Sequence, residues 1–432
     1  MVMQGVLAGS RELLASTRIW LRRLLAPVVA VVLVGCSSSE FTAPPVPLTS
    51  AAEEVPEARL LDIGLIEFEP GLPDEGRKLP ADVFPDIRRA EAKFFPYHLK
   101  STLQNTGHWG AVRVIPNDSV IADVYIDGVV EHSDGNKVRL RFNARDSAGQ
   151  RWFSRRYSMR TGRTDYGRNR DRSRDPYQNV FNEFANDLFE AFNELSDDEI
   201  DALRTTSRMR FYADMAPSVF GDYVEQDDRG RMQVVRLPSA EDPMVRRLDA
   251  IRERDALFQD TLNEHYANFY YGIALPYADW REASREAELE YQRLRRSALL
   301  RGLAGVATVA AASEISRGDG NDSGTERRTR STLKNYAIGS GLQTFFSSFG
   351  QLSEARLQRQ SISELSESFG QEAAPMVVDV LGQTRRLTGT ASAQYDQWRE
   401  LLRRINEQET GDLDSLDIGI NGRMSGGESD EG

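Results

Sequence analysis

One cysteine, Cys36, stands in 432 residues. No disulfide can form within the chain, so its body must be held by apolar packing and satisfied polar groups alone. The position of that cysteine carries further information. It follows an uncharged apolar run, residues 24–35 (LLAPVVAVVLVG), which is itself preceded by Arg11, Arg18, Arg22 and Arg23. A bilayer-spanning helix needs about 20 apolar residues, and this run is far shorter. A basic stretch, a short apolar run and a small residue in that order read as a secretory signal over residues 1–35. Its removal would take away four arginines and one glutamate, moving the formal charge from −12 to −15.

The run closes on Leu33-Val34-Gly35-Cys36, which resembles the lipobox of bacterial lipoproteins. That resemblance implies a diacylglycerol on the Cys36 sulfur and an amide-linked palmitate-type chain, enough acyl groups for stable attachment. Ser37 in second place, rather than Asp, implies the outer membrane. An ordinary signal peptide, or an uncut anchor, stays open as the alternative.

Residues 36–58 are rich in Ser, Pro, Thr and Ala, with Pro44, Pro45, Pro47 and Pro56. They read as a flexible tether behind the lipidated cysteine. Residues 410–432 are rich in Gly, Ser and acidic residues and read as a disordered acidic tail.

The expected fold class is α+β: a small mixed α/β domain, then a long antiparallel helical hairpin, then a terminal β-hairpin plus helix. Residues 59–206 carry the α/β domain. Residues 60–68 read as a buried strand, 86–105 as a helix kinked at Pro96, and 111–115 as a strand. Residues 122–131 and 137–146 alternate about Ser133-Asp134-Gly135-Asn136, a hairpin signal. Residues 151–159 extend the sheet. Tyr177, Val180, Phe181, Phe184, Leu188, Phe189, Phe192 and Leu195 form one helical stripe, and Ser196 with Glu199 a capping box. Residues 207–240 read as a β-hairpin segment of two or three strands. Residues 241–375 read as a coiled-coil-like helical arm, broken at Pro276, resuming near Trp280 and returning after a turn at 317–325. Residues 376–409 read as the closing hairpin and helix.

The strand–helix–strand–hairpin order, with Asp123-Val124-Tyr125-Ile126-Asp127-Gly128, resembles the small α/β domain of several envelope proteins. These are the Tol-Pal β-propeller protein, the curli secretion lipoprotein and the lipoprotein activators of penicillin-binding proteins. The resemblance covers about a third of the chain and transfers no functional residue. Residues 376–409 also resemble half of the phospholipid-associated domain of osmotically induced periplasmic proteins.

The most unusual local chemistry is basic. Residues 151–174 contain nine arginines (Arg151, Arg155, Arg156, Arg160, Arg163, Arg168, Arg170, Arg172 and Arg174) against two aspartates. Guanidinium forks suit phosphate and carboxylate, so anionic lipid or peptidoglycan is one candidate partner. A solvated strand face is the plainer reading. The acidic total excludes a general nucleic-acid binder.

Residues 298–312 and 336–349 are rich in Gly and Ala, which suits either close helix crossing or a membrane-touching tip. Asp319, Asn321, Ser323 and Gly324 approach a calcium loop, but Arg330 stands where a bidentate Glu is required. His98, His108, His132 and His265 have no second ligand at helical spacing. His265 is expected in a helix seam and the other three at the surface or in turns. No phosphate loop, zinc motif or nucleophile elbow occurs.

These observations lead to the expectation of a non-enzymatic, cofactor-free and metal-free lipoprotein facing the periplasm and docking an envelope protein. A binder of anionic lipid or peptidoglycan through 151–174 is the alternative. A hydrolase would require a concave pocket of convergent, perturbed polar groups.

Overall fold

A computed structural model describes residues 44–73, 83–166, 174–315, 360–361, 363–364, 376–380 and 383–421. Cys36, Arg168, Arg170, Arg172, the calcium-like loop and residues 316–359 of the expected arm lie outside the described residues.

The main sheet holds β1 (Ile63–Ile66), β2 (Val112–Ile115), β3 (Val124–Ser133), β4 (Lys137–Asp146) and β5 (Arg151–Arg160), in the order β2-β1-β3-β4-β5. β1 is parallel to β2 and β3, whereas β3–β4 and β4–β5 are antiparallel. Helices and a mixed sheet thus make the chain α+β. β1 is apolar without alternation because a central parallel strand is covered on both faces. β4 alternates: Val138, Leu140, Phe142 and Ala144 face the core, while Lys137, Arg139, Arg141 and Arg145 take the opposite face.

Two helices cover the inner face, α1 (Pro85–Gln104) and α2 (Gln178–Asn193). Their rings interlock over the sheet, with Phe95–Phe181 centroids 5.7 Å apart and Phe142–Phe184 4.6 Å apart. The capping box forms as expected and opens α3 (Asp197–Met215). α3 runs through the boundary expected at 206–207, so residues 208–215 are helical, not strand. Their buried Met209, Tyr212 and Met215 recur every three residues, a helical period. Only β6 (Val224–Gln226) and β7 (Met232–Val234) remain as strands before residue 240.

The spine is α4 (Pro243–Ile315), 73 residues of continuous helix and about 110 Å long at 1.5 Å per residue. Pro276 lies inside it, correcting the expected break. Proline frees the carbonyl of Gly272, which is on the exposed side where solvent can hydrate it. Ile273, Tyr277 and Trp280 meanwhile stay buried and keep the axis against the body. Asn263 on this spine pairs with the edge strand β2: its Oδ1 accepts the Val114 N–H at 2.9 Å and its Nδ2 donates to the Val114 carbonyl at 3.3 Å. The side chain thereby occupies a sheet edge that would otherwise offer unpaired groups.

A small hairpin, β8 (Met376–Val380) with β9 (Gln383–Leu387), precedes α5 (Ala391–Asn421). α5 continues past residue 409, correcting the expectation of a structureless segment from 410 onward. Extending a formed helix is far cheaper than nucleating one. One core runs from Leu61 to Ile405 and joins the sheet, the body-facing half of α4 and α5.

The tether expectation also needs correction. Residues 44–49 are strapped along α2 by three asparagines. Asn179 Nδ2 donates to the Pro44 carbonyl (3.0 Å) and its Oδ1 accepts the Val46 N–H (3.0 Å). Asn182 Nδ2 donates to the Val46 carbonyl (2.8 Å). Asn186 Nδ2 donates to the Pro47 carbonyl (3.0 Å) and its Oδ1 accepts the Thr49 N–H (2.9 Å). The proline-rich segment is extended and has few donors of its own, so side-chain amides at helical spacing can satisfy it.

Candidate functional site

A cleft of about 240 Å³ opens at the amino ends of β1, β2 and β3. Asp62, Arg113 and Asp123 line it from the strand side, Arg204 and Ser207 from α3, and Asp255 from α4. Ligands of open α/β sheets collect at the carboxyl ends of strands, so this cleft lies at the other end.

Three of its carboxylates, Asp62, Asp123 and Asp255, are committed to structure, while Glu253 of α4 is exposed at its rim. Asp123 Oδ2 accepts the Asp62 N–H at 2.9 Å, and its Oδ1 accepts the Ser207 hydroxyl. Asp62 Oδ1 accepts the Ala111 N–H at 2.8 Å. These two groups therefore bracket the starts of three strands. Asp255 is 1% exposed and accepts from Gln259 Nε2 (2.7 Å), Tyr395 Oη (3.2 Å) and Trp398 Nε1 (3.2 Å), tying α4 to α5. Burial raises the Asp123 and Asp255 carboxyls above the ordinary range, against the opposing effect of their hydrogen bonds. Arg113 is held by Asp260 at 2.7 and 3.2 Å, and Arg204 Nη1 donates to the Ala58 carbonyl at 3.0 Å. The cleft is concave and polar with shifted carboxyls, as a hydrolase would require, but Asp62, Asp123 and Asp255 are each engaged in hydrogen bonds within the fold.

A second buried polar cluster clamps α4 to the sheet. Arg281 makes a bidentate pair with Asp175 (2.9 and 2.8 Å) and lies over the Tyr177 and Tyr277 rings. Burial alone would raise the Asp175 carboxyl, but the Arg281 guanidinium outweighs it and holds it at about 2. Glu91 is fully buried and accepts hydroxyls from Ser133 and from Tyr277 (2.7 Å). Its carboxyl is raised by burial, partly offset by Arg88. His98 is buried too, not at the surface. Its neighbour Gln178 donates through Nε2 to Thr102 and Asn182, which leaves Oε1 to accept from His98 Nε2–H at 2.9 Å. Nδ1 then accepts the Tyr270 hydroxyl at 2.9 Å, so the ring is neutral. His108 is likewise buried, stacked on Phe189, and His132 is half-buried and bonded to Asp134.

The described arginines of 151–174 do not all converge on one face. Arg155 pairs with Asp187 of α2 at 2.9 Å, on the helix-covered face. Arg156 pairs with Glu131 at 2.8 Å, on the opposite face. Arg151 and Arg160 are exposed at opposite ends of β5. Arg163 opens the one-turn helix Arg163–Tyr166, and Arg174 donates to Asn179 Oδ1 beside the strap. Sequence reading missed the cations of the neighbouring strand. Lys137 is opposite Arg160, and Arg141 opposite Arg156. Strand alternation in 137–146 was the signal, since it puts Lys137, Arg139 and Arg141 on one face with Arg156 and Arg160. Asn179, Asn182 and Asn186 were legible too, as three poor helix formers on one helix face.

Among the described residues, no group of three or more His, Cys, Asp or Glu side chains could hold a metal, and no helix is long and apolar enough to cross a membrane. The chain matches no protein-family model, no curated protein and no solved structure.

Proposed function

We propose that this chain is a lipid-anchored protein of the bacterial cell envelope, a non-enzymatic scaffold that docks a protein partner at the periplasmic face of the outer membrane. Cys36 carries the acyl chains, the α/β body is held beside the bilayer, and α4 with the chain that follows forms an antiparallel helical arm. A terminal hairpin and helix return to the body. The observation that carries this reading is the division of α4. Among the described side chains its buried ones run from Val245 to Ala287, and its helical backbone continues to Ile315, about 42 Å further. A helix riveted to a core along one part and extended beyond it suits a protein that presents a surface to another.

The polar cleft favours the hydrolase reading less, because Asp62, Asp123 and Asp255 are engaged in holding strand starts and helix contacts. The anchor is tested by mass spectrometry of the protein from intact envelopes. Acylated Cys36 as first residue is expected; an unmodified thiol or a retained residue 1–35 segment refutes the anchor. Docking is tested by crosslinking and co-purification with and without residues 291–375. Loss of a specific partner on deletion is expected, and retention of every partner refutes it.

A further inference from the structure

The point where the strap leaves the body, its basic pole and the part of α4 around Arg281 all lie together. Pro44 is fixed by Asn179, whose Oδ1 also accepts from Arg174. Two residues earlier, the Tyr177 hydroxyl accepts the Gly135 N–H at 2.9 Å. Gly135 sits in the β3–β4 turn, just before Lys137 and its partner Arg160. A Cβ on Gly135 would lie 2.1 Å from the Arg281 carbonyl oxygen, which places this turn directly on α4. Beyond it, Arg296 is exposed on the same helix, as are Glu286 and the ion pair of Arg293 with Glu290 at 3.6 Å.

Three aspartates at this pole are bonded inward. Asp134 Oδ1 accepts the Asn136 and Lys137 N–H groups (2.9 and 2.6 Å), and Asp165 Oδ2 accepts the Gly162 N–H (2.6 Å). Asp175 is paired with Arg281. Lys137 is held below the ordinary lysine value chiefly by desolvation and then by the like charges of Arg139 and Arg160, with Asp134 opposing.

We infer that this pole, formed by Lys137, Arg160 and Arg174 around the strap's exit, is the face the protein lays against anionic phospholipid headgroups. The inference rests on Cys36 being the anchor. Chain length then decides orientation. From Cys36 to Pro44 there are eight peptide steps in the sequence, spanning at most about 28 Å. The tether is too short to let the body turn its opposite side to the bilayer. Without residues 1–35 the chain carries a formal charge of −15, so the body as a whole is repelled by anionic lipid and a local basic surface is needed to hold it there. Acyl chains plus a local basic surface are the usual two-signal arrangement for firm attachment.

The test uses the chain from residue 36 onward with Cys36→Ser, so that its outcome is independent of acylation. Sedimentation with phosphatidylglycerol–phosphatidylcholine vesicles is compared with pure phosphatidylcholine vesicles, at low and high salt. Salt-sensitive binding to the anionic vesicles alone is expected. It should weaken about fivefold for each cation removed in Lys137→Gln and Arg160→Gln. Arg246→Gln with Arg254→Gln, two exposed cations elsewhere, should leave it unchanged. Equal loss in that control pair, equal binding to both vesicle types, or binding to peptidoglycan sacculi instead of vesicles overturns the assignment. An unacylated Cys36 in cells with vesicle binding intact would refute the anchor and leave the lipid-binding pole standing.

Discussion

Glu91 and His98 sit in the same buried region, and burial drives their titration in opposite directions. Burial raises the Glu91 carboxyl, so between its ordinary value of 4.5 and its folded value the native state binds more protons than the unfolded chain. Its contribution is full below 4.5 and is lost as pH rises through the folded value. His98 is depressed by burial, so the unfolded chain binds more protons below 6.5, and stability falls as pH drops through that value. Glu91→Gln should therefore flatten the decline in stability as pH rises above about 4.5, measured by chemical denaturation. An unchanged pH profile would show that Glu91 is ionised in the native state. Arg281→Ala leaves Asp175 buried without its partner and should cost roughly 3–5 kcal/mol, read from the denaturation midpoint. Gly135 has φ +80° and no room for a Cβ against the Arg281 carbonyl, so Gly135→Ala should loosen the seat of α4.

At the scale of elements, the strap is the most exposed assembly to test. Three asparagine side chains carry it, and each net hydrogen bond is worth about 1 kcal/mol. Replacing Asn179, Asn182 and Asn186 together by alanine should expose the Val46 and Thr49 amides to rapid hydrogen exchange while amides of β3 and β4 stay protected. Continued protection of those two amides would mean that packing of Leu48, not the ladder, holds the segment. The strap also communicates with the core, because Gln178 bridges His98 to Asn182, which bonds the Val46 carbonyl. Protonating His98 removes the acceptor used by Tyr270 and disturbs this bridge. The same three residues show how a helix written with unfavourable formers can be right: their side chains serve an extended neighbour that a one-dimensional reading treats as free tether.

Across the whole molecule, one core unites segments that composition separates. Among the described residues its buried side chains stop at Ala287 and resume at Leu387. Replacing residues 291–375 with a sufficiently long flexible linker should therefore leave the melting temperature nearly unchanged, as followed by circular dichroism. A drop of many degrees would show that the arm is part of the folding unit and not an appendage. The acidic cleft and the basic pole belong to this scale as well, since each draws on residues far apart in sequence: Asp62, Ser207 and Asp255 for one, Pro44, Lys137, Arg160 and Arg174 for the other.

The sequence by itself determined the periodicities, hence strands expected at 111–115, 122–131, 137–146 and 151–159 and found at 112–115, 124–133, 137–146 and 151–160, the capping box at Ser196 and the helical stripe from Tyr177. It also determined that the chain has a single thiol and an acidic balance. These are local properties, set by side-chain spacing and count. Tertiary structure alone decided that Pro276 stays within a helix, that residues 44–49 lie on α2, that α3 passes residue 206 and that α5 passes residue 409. It also decided which arginines meet carboxylates and which face solvent. The reason is common to all of these: a freed carbonyl, an extended backbone or a charge takes its energy from whatever lies beside it, and neighbours across the fold are not written in the spacing of residues along the chain.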